Sequence, residues 1–121
     1  MSAECRRKAH RRGHIAEFAC AGLLLLKGYS LLARRYRNRH GEIDLIALRR
    51  GVVAFIEVKA RARKEEALGA ITADKRRRVA QAAQGYLASN PDFLQHGLRF
   101  DVMVVTSFWR IHHLTNAWSM E

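Results

Sequence analysis

The sequence predicts an α/β fold in which helices cover both faces of a central β-sheet. Residues 41–48 and 52–59 are rich in β-branched and aliphatic side chains, and Arg50-Gly51 separates them as a two-residue hairpin turn. Both alternating sets of residues in these two strands are largely apolar, so both faces of the sheet need cover. Residues 14–27 and 73–89 carry apolar residues at helical spacing and can provide that cover.

The remaining elements follow from local patterns. Gly28 has the position of a glycine that ends the first helix, and Thr72 that of an N-cap residue for the second. Asn90-Pro91 ends the second helix, because proline cannot continue it. In order, the patterns predict a helix from about His14 to Lys27, a strand from Leu31 to Tyr36, a basic link from Arg34 to His40, strands from Gly41 to Leu48 and Val52 to Lys59, a helix from Ala73 to Ser89, and strands from Leu98 to Thr106 and Arg110 to Leu114.

Length and composition are those of one globular domain. The chain has 121 residues, of which 49% are hydrophobic and 27% charged, enough to build a single core. Residues 1–12 carry many charges and little that can be buried, so we expect a flexible basic arm there. Residues 13–121 are expected to form a single domain.

The net charge indicates a polyanionic partner. Twenty-two Lys and Arg residues stand against eleven Asp and Glu residues, giving a formal net charge of +11. Such a field concentrates polyanions near the surface, which makes DNA, RNA and anionic membranes the candidate partners. The alternative is a generally basic surface that serves only solubility.

Nothing in the sequence indicates export or membrane insertion. Cys5 and Cys20 form no CxxC pair, so neither a zinc site nor a disulfide framework is expected. The apolar stretch from Ile15 to Leu26 follows basic residues, as in a signal peptide, but Glu17 interrupts it and no cleavage site follows. That stretch is also too short to span a bilayer. We therefore expect a cytoplasmic protein that does not associate with membranes.

The hairpin brings charged residues together at its open end. With Arg50-Gly51 as the turn, facing residues have numbers that sum to 101, so Asp44 lies opposite Glu57. Because side chains alternate along a strand, Asp44, Glu57 and Lys59 are predicted to share one face. The opposite face is predicted to hold Ile43, Leu45, Ala47, Ala54, Ile56 and Val58.

Two carboxylates at this distance repel each other unless a cation lies between them. Mg²⁺ prefers such oxygen ligands and commonly binds through one or two carboxylates, water and substrate phosphate. Lys59 would project beside the ion, where it can stabilise a phosphate or orient the attacking water. The alternative is a surface ion network formed by Asp44, Glu57 and Lys59, although charges in strongly apolar strands are costly unless compensated.

Several sequence blocks resemble a known family. Asp44, followed by Glu57-Val58-Lys59 on the next strand, resembles the catalytic signature of the PD-(D/E)XK nuclease superfamily. The chain from about residue 12 to residue 118 resembles the YraN-type family, a bacterial group of endonuclease-like proteins. The blocks that carry this resemblance are His14-Ile15-Ala16-Glu17, Asn38 to Ala47, Phe55 to Arg61, Lys75, Arg99-Phe100-Asp101-Val102 and Ile111 to Trp118.

The resemblance implies a restriction-endonuclease-like fold, with a central mixed sheet flanked by helices, similar to archaeal Holliday junction resolvases. It implies a metal-binding role for Glu17 on the first helix, for which a solvated helix charge is the alternative. Two features depart from related nucleases. Ile43 precedes Asp44 where many members have proline, and Gln81 and Tyr86 do not form the Gln-xxx-Tyr pattern of RecB-like relatives.

Other polar residues have weaker signals. Asp101 lies in an apolar strand and is interpreted as a structural brace, while His112 and His113 point to opposite faces and are poor joint metal ligands. Solvated faces are the usual explanation of basic runs, but some of these residues are candidates for phosphate contacts. The candidates for nucleic-acid binding are Arg37, Arg39, Arg61, Lys75 and Arg77.

These observations predict an endonuclease that hydrolyses DNA phosphodiesters, including branched or structured DNA, with Mg²⁺ as cofactor and Mn²⁺ as an alternative ion. Asp44, Glu57 and Lys59 would be catalytic, with Asp44, Glu57 and Glu17 as metal ligands. One alternative is a non-catalytic binding module in a repair, recombination or uptake complex. Another is an RNA-binding protein, because a basic surface does not distinguish the two polymers. A homodimer would suit a symmetric four-way junction.

Overall fold

The computed structural model describes the backbone of residues 3–119 and the side chains of residues 13–107 and 109–119. Two short 3₁₀ turns, Pro91–Phe93 and Ser107–Trp109, precede the last two strands. In chain order the other elements are α1 (Ala3–Leu26), β1 (Ser30–Asn38), β2 (Gly41–Arg49), β3 (Val52–Ala60), α2 (Lys64–Gly69), α3 (Ala73–Ser89), β4 (Gly97–Val105) and β5 (Ile111–Trp118).

The five strands form one mixed sheet in the order β1-β2-β3-β4-β5. Neighbouring strands are antiparallel except β3 and β4, which are parallel. A parallel pair requires a crossover connection, and α2 and α3 provide it. The crossover brings the carboxyl ends of β3 and β4 to the same edge of the sheet. The predicted α/β fold, with a mixed sheet flanked by helices, is confirmed.

The helices differ from the prediction in two respects: the start of α1 and the presence of α2. Helix α1 begins at Ala3 and not near His14, because residues 3–12 are mostly Ala, Glu, Lys and Arg, which favour helices. Met1 and Ser2 of the predicted arm lie outside the described residues. The six-residue helix α2 was not predicted, because its periodic pattern is too short to read and contributes only Ala67 to the core.

The caps that the sequence predicts are present. Gly28 has a φ of +89° and ends α1, donating its backbone N–H to the carbonyl of Leu25. The Oγ1 atom of Thr72 accepts the backbone N–H of Lys75 at 3.1 Å, which caps α3. Hydrogen bonds from neighbouring residues therefore satisfy terminal backbone groups at the C-terminus of α1 and the N-terminus of α3.

The β2–β3 hairpin has the predicted register. Its antiparallel pairs include Leu48 with Val53 and Ile46 with Phe55. The turn residues Arg50 and Gly51 both have positive φ, +51° and +74°, as a two-residue turn of type I′ requires. The register fixes which side chains meet on each face of the sheet.

Each face of the sheet packs against a helix. Ile46, Val53 and Phe55 lie in the cluster on the α3 side, while Leu45 and Ile56 lie in the cluster on the α1 side. The helix residues that complete the clusters are Val79, Ala82, Ala83, Tyr86 and Leu87 of α3, and Ala16, Cys20, Ala21 and Leu24 of α1. Among the described helices, none is both long enough and apolar enough to cross a membrane.

The prediction for Ile43 was wrong. It was expected to share a face with Leu45, but it packs in the cluster on the α3 side together with Ile46. Regular alternation would place residues 43 and 45 on one face. The alternation of β2 therefore breaks between them, at Asp44.

Candidate active site

Asp44 and Glu57 lie where the β2–β3 ladder ends. The last pair at this end of the ladder is Leu45 with Ile56, one step before the two carboxylates. The Oδ2 atom of Asp44 accepts the backbone N–H of Val58 at 2.8 Å. The carboxylate thus replaces a backbone partner and is held in place beside β3.

Strand β1 is irregular where it passes Asp44 of β2. Tyr36 packs on the α3 side of the sheet, whereas Arg34, two residues earlier, lies over the ring of Phe18 in α1. Residues two apart in a regular strand share a face. Arg35, between them, has a φ of +49°, in the left-handed region that arginine rarely adopts. The register of β1 against β2 puts Arg35 opposite Asp44, so the irregularity lies at the candidate site.

Glu57 is the most deeply buried of the predicted catalytic residues. Its residue is 5% exposed. Its Oε1 atom lies 3.7 Å from Nζ of Lys59 and 3.9 Å from Nζ of Lys75. Its Oε2 atom is buried and has no hydrogen-bond donor among the residues that the structure describes. A buried carboxylate oxygen without a donor is suited to bind a cation.

The environment of Glu57 favours its protonated form in the absence of a cation. Burial is the largest cause, and the charge of Asp44 and a hydrogen bond that Asp44 accepts from the protonated carboxyl add to it. Lys75 and Lys59 act in the opposite direction. Because burial and Asp44 outweigh the two lysines, the pKa of Glu57 is raised to about 8. A divalent cation would compensate the charge that burial and Asp44 disfavour.

Glu17 brings a third carboxylate from α1. The residue is 6% exposed, and burial, followed by the charge of Asp44, raises its pKa, while the charges of Arg35 and Arg34 lower it. The Nε atom of Arg35 lies 3.1 Å from Oε1 of Glu17 and forms an ion pair with it. Glu17 therefore faces Asp44 from the helix.

The donor set fits a hard cation bound mainly by water. Among the described residues, no three His, Cys, Asp or Glu side chains are arranged as a complete metal site. Mg²⁺ does not require such a cage, because it usually keeps several waters and binds through one or two carboxylates. Asp44 and Oε2 of Glu57, to which no described residue donates, would provide those two. A cavity of about 440 Å³ lies beside Asp44, lined by His14, Glu17, Arg35, Arg37, Glu42 and Val58.

The predicted phosphate contacts fall into two groups. Lys75 reaches the site from α3 and approaches Glu57, and Arg37 lines the cavity beside Asp44. Arg39 and Arg61 are exposed, and Arg77 pairs with Asp74 on the outer surface of α3. The structure thus brings Arg37 and Lys75 to the carboxylates and leaves the other three on the surrounding surface.

Arg35 lies at the site, although it was predicted only as part of the basic link from Arg34 to His40 and not as a neighbour of the carboxylates. It belonged to a run of basic residues, and no local pattern indicates that an arginine will adopt a positive φ. His14 was also missed as a lining residue of the cavity. Its position on α1, three residues before Glu17, was the only signal that it lies near the carboxylates.

Asp101 forms a separate buried network, as its interpretation as a brace predicts. Its carboxylate accepts two hydrogen bonds from Arg99 at 2.8 Å, one from Nε2 of His113 at 2.8 Å and one from the backbone N–H of Asn116 at 3.0 Å. Burial alone would raise the pKa of Asp101, but these hydrogen bonds and the charge of Arg99 lower it overall. His112 pairs with Val104 of β4 and His113 with Met103. Because adjacent residues of a strand alternate, the two histidines face opposite sides of the sheet.

The fold is α/β and restriction-endonuclease-like, with a five-stranded mixed sheet flanked by helices, and two acidic residues and a lysine lie on its neighbouring central strands. The model of the uncharacterised protein family UPF0102 matches residues 16–105, and the chain belongs to this family.

Three relatives are similar over most of their length. A UPF0102 protein of Bradyrhizobium diazoefficiens is 48% identical over 97 residues, covering 80% of this chain and 73% of the relative. A UPF0102 protein of Mesorhizobium japonicum is 47% identical over 108 residues, covering 88% of this chain and 86% of the relative. A UPF0102 protein of Rhizobium meliloti is 46% identical over 110 residues, covering 91% and 90%.

Proposed function

We propose that this protein is a metal-dependent endonuclease that hydrolyses phosphodiester bonds in DNA, including branched or structured DNA. The observation that carries the proposal is the meeting of Asp44, Glu57 and Lys59 at the open end of one hairpin, with a buried oxygen of Glu57 to which no described residue donates a hydrogen bond. The resemblance to YraN-type proteins and the PD-(D/E)XK superfamily supports the same assignment.

Asp44 and Glu57 would hold Mg²⁺, or Mn²⁺ in its place, and Glu17 would add a carboxylate from α1. When bound, the cation supplies an activated water and compensation for charge that develops on the phosphate. The backbone N–H of Val58 holds Oδ2 of Asp44, which keeps the carboxylate oriented. Such preorientation matters because small misplacements at a reacting centre are costly.

Lys59 and Lys75 give the site a positive side. Both ammonium groups lie within 4 Å of Oε1 of Glu57, one from β3 and one from α3. A phosphodiester entering beside Glu57 would meet both of them, and a fixed positive charge stabilises developing negative charge in a partly buried site. Lys59 is the better candidate for catalysis because its side chain is 20% exposed, against 37% for Lys75.

The surface charge supports a nucleic-acid substrate. With a net charge of +11, the protein would attract a polyanion before specific contacts form. Arg37, Arg39, Arg61, Lys75 and Arg77 are the residues proposed to contact phosphates around the site.

A second candidate function is non-catalytic binding of DNA or RNA in a repair, recombination or uptake complex. The observation that favours it is the ion pairing of Glu57 with Lys59 and Lys75, which compensates part of the buried charge without a metal. In that case the carboxylates would stabilise the domain, and the basic surface alone would bind the nucleic acid.

The test is a cleavage assay on labelled linear, single-stranded and four-way-junction DNA with Mg²⁺, with Mn²⁺ and with chelator. We expect metal-dependent cutting that is abolished in Glu57→Gln, while DNA binding is retained. The matched control is Glu65→Gln, which removes an exposed carboxylate on α2 and should cut normally. Tight binding without cutting under every condition would favour the binding module. Undiminished cutting by Glu57→Gln would show that the proposed centre is wrong.

A further inference from the structure

A second cavity lies at the edge of the sheet where β3 and β4 both end. Its volume is about 340 Å³, within the range of about 300–1,000 Å³ typical of small-ligand pockets. Arg61 follows β3, while Thr106, Ser107 and Trp109 follow β4. These four residues line the cavity together with Ala60, Ala62 and Val105. The cavity therefore combines an aromatic ring, a cation and two hydroxyl groups.

Trp109 presents an unusually large apolar surface at this edge. The residue is 54% exposed and has a φ of +59°, a conformation that is unfavourable for a bulky side chain. A tight turn holds it there. The backbone N–H of Trp109 donates to the carbonyl of Thr106 at 3.1 Å, and the N–H of Thr106 donates to the carbonyl of Arg110 at 2.9 Å. The ring is thus supported by a closed loop while it remains accessible.

Arg61 supplies the positive charge of the cavity. Its backbone N–H donates to the carbonyl of Val105 at 3.1 Å, which ties the end of β3 to the end of β4. Its Nη1 atom donates to the carbonyl of Ala60 at 2.8 Å, and its other guanidinium N–H groups have no partner among the residues that the structure describes. These donors are available to a phosphate oxygen beside the tryptophan ring.

The cavity lies near the candidate active site, further along the chain direction of β3. Glu57 and Lys59 are alternate residues of β3, and Arg61 is the next alternate residue, one position after the strand ends. At a rise of about 3.3 Å per residue of extended chain, Arg61 lies roughly 13 Å from Glu57, with Lys59 halfway between them. A nucleic-acid strand whose scissile phosphate lies beside Glu57 could therefore place a neighbouring nucleotide in this cavity.

We propose that the cavity is a subsite for one unpaired nucleobase of a DNA substrate, with the base stacked on Trp109 and its phosphate bound by Arg61. This inference rests on the proposed function and specifies its substrate class. Stacking on an exposed aromatic ring requires an open base face, which a base inside a duplex does not offer. The subsite thus selects DNA with a single-stranded end, flap or branch next to a duplex.

The test compares binding of a duplex that carries a single-stranded overhang with binding of the same duplex with blunt ends, both in chelator. Removal of one base–aromatic stack corresponds to about a 5- to 150-fold loss of affinity. We expect Trp109→Ala to lose that much on the overhang substrate and little on the blunt one. Trp109→Phe, which keeps an aromatic ring, should retain most of the affinity.

A direct optical readout complements the affinities. In a Trp118→Phe variant, Trp109 is the remaining tryptophan, so its fluorescence should be quenched by the overhang DNA and not by the blunt duplex. Unchanged affinity of Trp109→Ala for the overhang DNA, or an equal loss on both substrates, would overturn the subsite.

The two proposals fail in different ways. Because binding is measured in chelator, a wild-type protein that binds the overhang and blunt DNA equally but cuts normally with metal would reject the subsite alone. An intact overhang preference without cutting in any metal would leave the subsite standing and reject the nuclease.

Discussion

Glu57 illustrates how one residue links folding to chemistry in this protein. Its carboxyl lies among apolar strands, beside Asp44 and two lysines, and its pKa is raised to about 8 by burial and by Asp44. Near neutral pH it therefore holds its proton most of the time when no cation is present. Binding of a divalent cation would displace this proton, so cation affinity and proton release are coupled at this residue.

The site residues differ in how well the sequence alone predicts them. Glu57 and Lys59 follow from strand period and turn position, which are local properties, whereas for Asp44 only the turn position holds, because the alternation of β2 breaks at this residue. The approach of Lys75 to Glu57 was not predictable from spacing, because it depends on how α3 packs across the sheet. Arg35 could not be singled out at all, since its positive φ is imposed by tertiary structure.

Asp101 gives a residue-scale prediction about stability and pH. Asp101→Asn should lower the free energy of unfolding at pH 7 by about 3 kcal/mol, because it weakens a buried ion pair with Arg99. The pKa of Asp101 is lowered in the folded state, so its stabilisation is present above the unfolded pKa of about 3.9 and is lost as the pH falls through the lower folded pKa.

Urea unfolding of both proteins at neutral and strongly acidic pH measures this effect. The difference between wild type and Asp101→Asn should be largest at neutral pH and should shrink in acid. Asp92→Asn, which alters an exposed carboxylate, is the control and should show little difference at either pH. A difference that does not depend on pH would contradict the role assigned to the Asp101 network.

At the scale of elements, the hairpin and the helices have different degrees of predictability. The β2–β3 register and α3 were predicted correctly, because a two-residue turn fixes the pairing and Thr72 and Asn90-Pro91 mark the helix ends. The placement of Ile43 was wrong, since strict alternation cannot anticipate the irregularity opposite Arg35. Short α2 was missed because six residues contain too little periodicity.

Helix α1 matters for the site because it carries Glu17 and covers one face of the hairpin. Leu24 is fully buried against this face, whereas Leu26, two residues later, is 87% exposed. Leu24→Ala should destabilise the protein by about 2–5 kcal/mol, because it leaves a cavity between α1 and the sheet. Leu26→Ala should change stability by less than about 0.5 kcal/mol.

Thermal and urea unfolding of these two variants measure how strongly α1 is docked. The pair is well matched because both variants make the same chemical change in the same helix. Equal effects of the two substitutions would contradict the packing of α1 that brings Glu17 to Asp44.

At the scale of the whole molecule, family membership and net charge contribute different parts of the functional proposal. Membership of UPF0102 is shown by similarity over most of the chain, and the proposed activity is argued from the site. The high positive charge indicates a polyanionic partner and does not choose between DNA and RNA. The homodimer expected for a symmetric junction stays a prediction.

If basic residues contact DNA phosphates, the affinity for DNA should depend on salt concentration. Arg77→Ala should weaken DNA binding and reduce the slope of log affinity against log salt by about 0.9 if that arginine contacts one duplex phosphate. Gln81→Ala, which changes an exposed neutral residue on the same helix, should leave the slope unchanged. Affinity measurements over a series of salt concentrations test this, and an identical slope for all three proteins would exclude Arg77 from the interface.

The central claim is that Asp44 and Glu57 together hold a divalent cation. Calorimetric titration of Mg²⁺ and Mn²⁺ into the purified protein tests it most directly, without requiring any substrate. We expect saturable binding in the wild-type protein and in the Glu65→Gln control, and its loss in Asp44→Asn and Glu57→Gln. Binding that is unchanged in both site variants would contradict the claim and would assign the carboxylates a purely structural role.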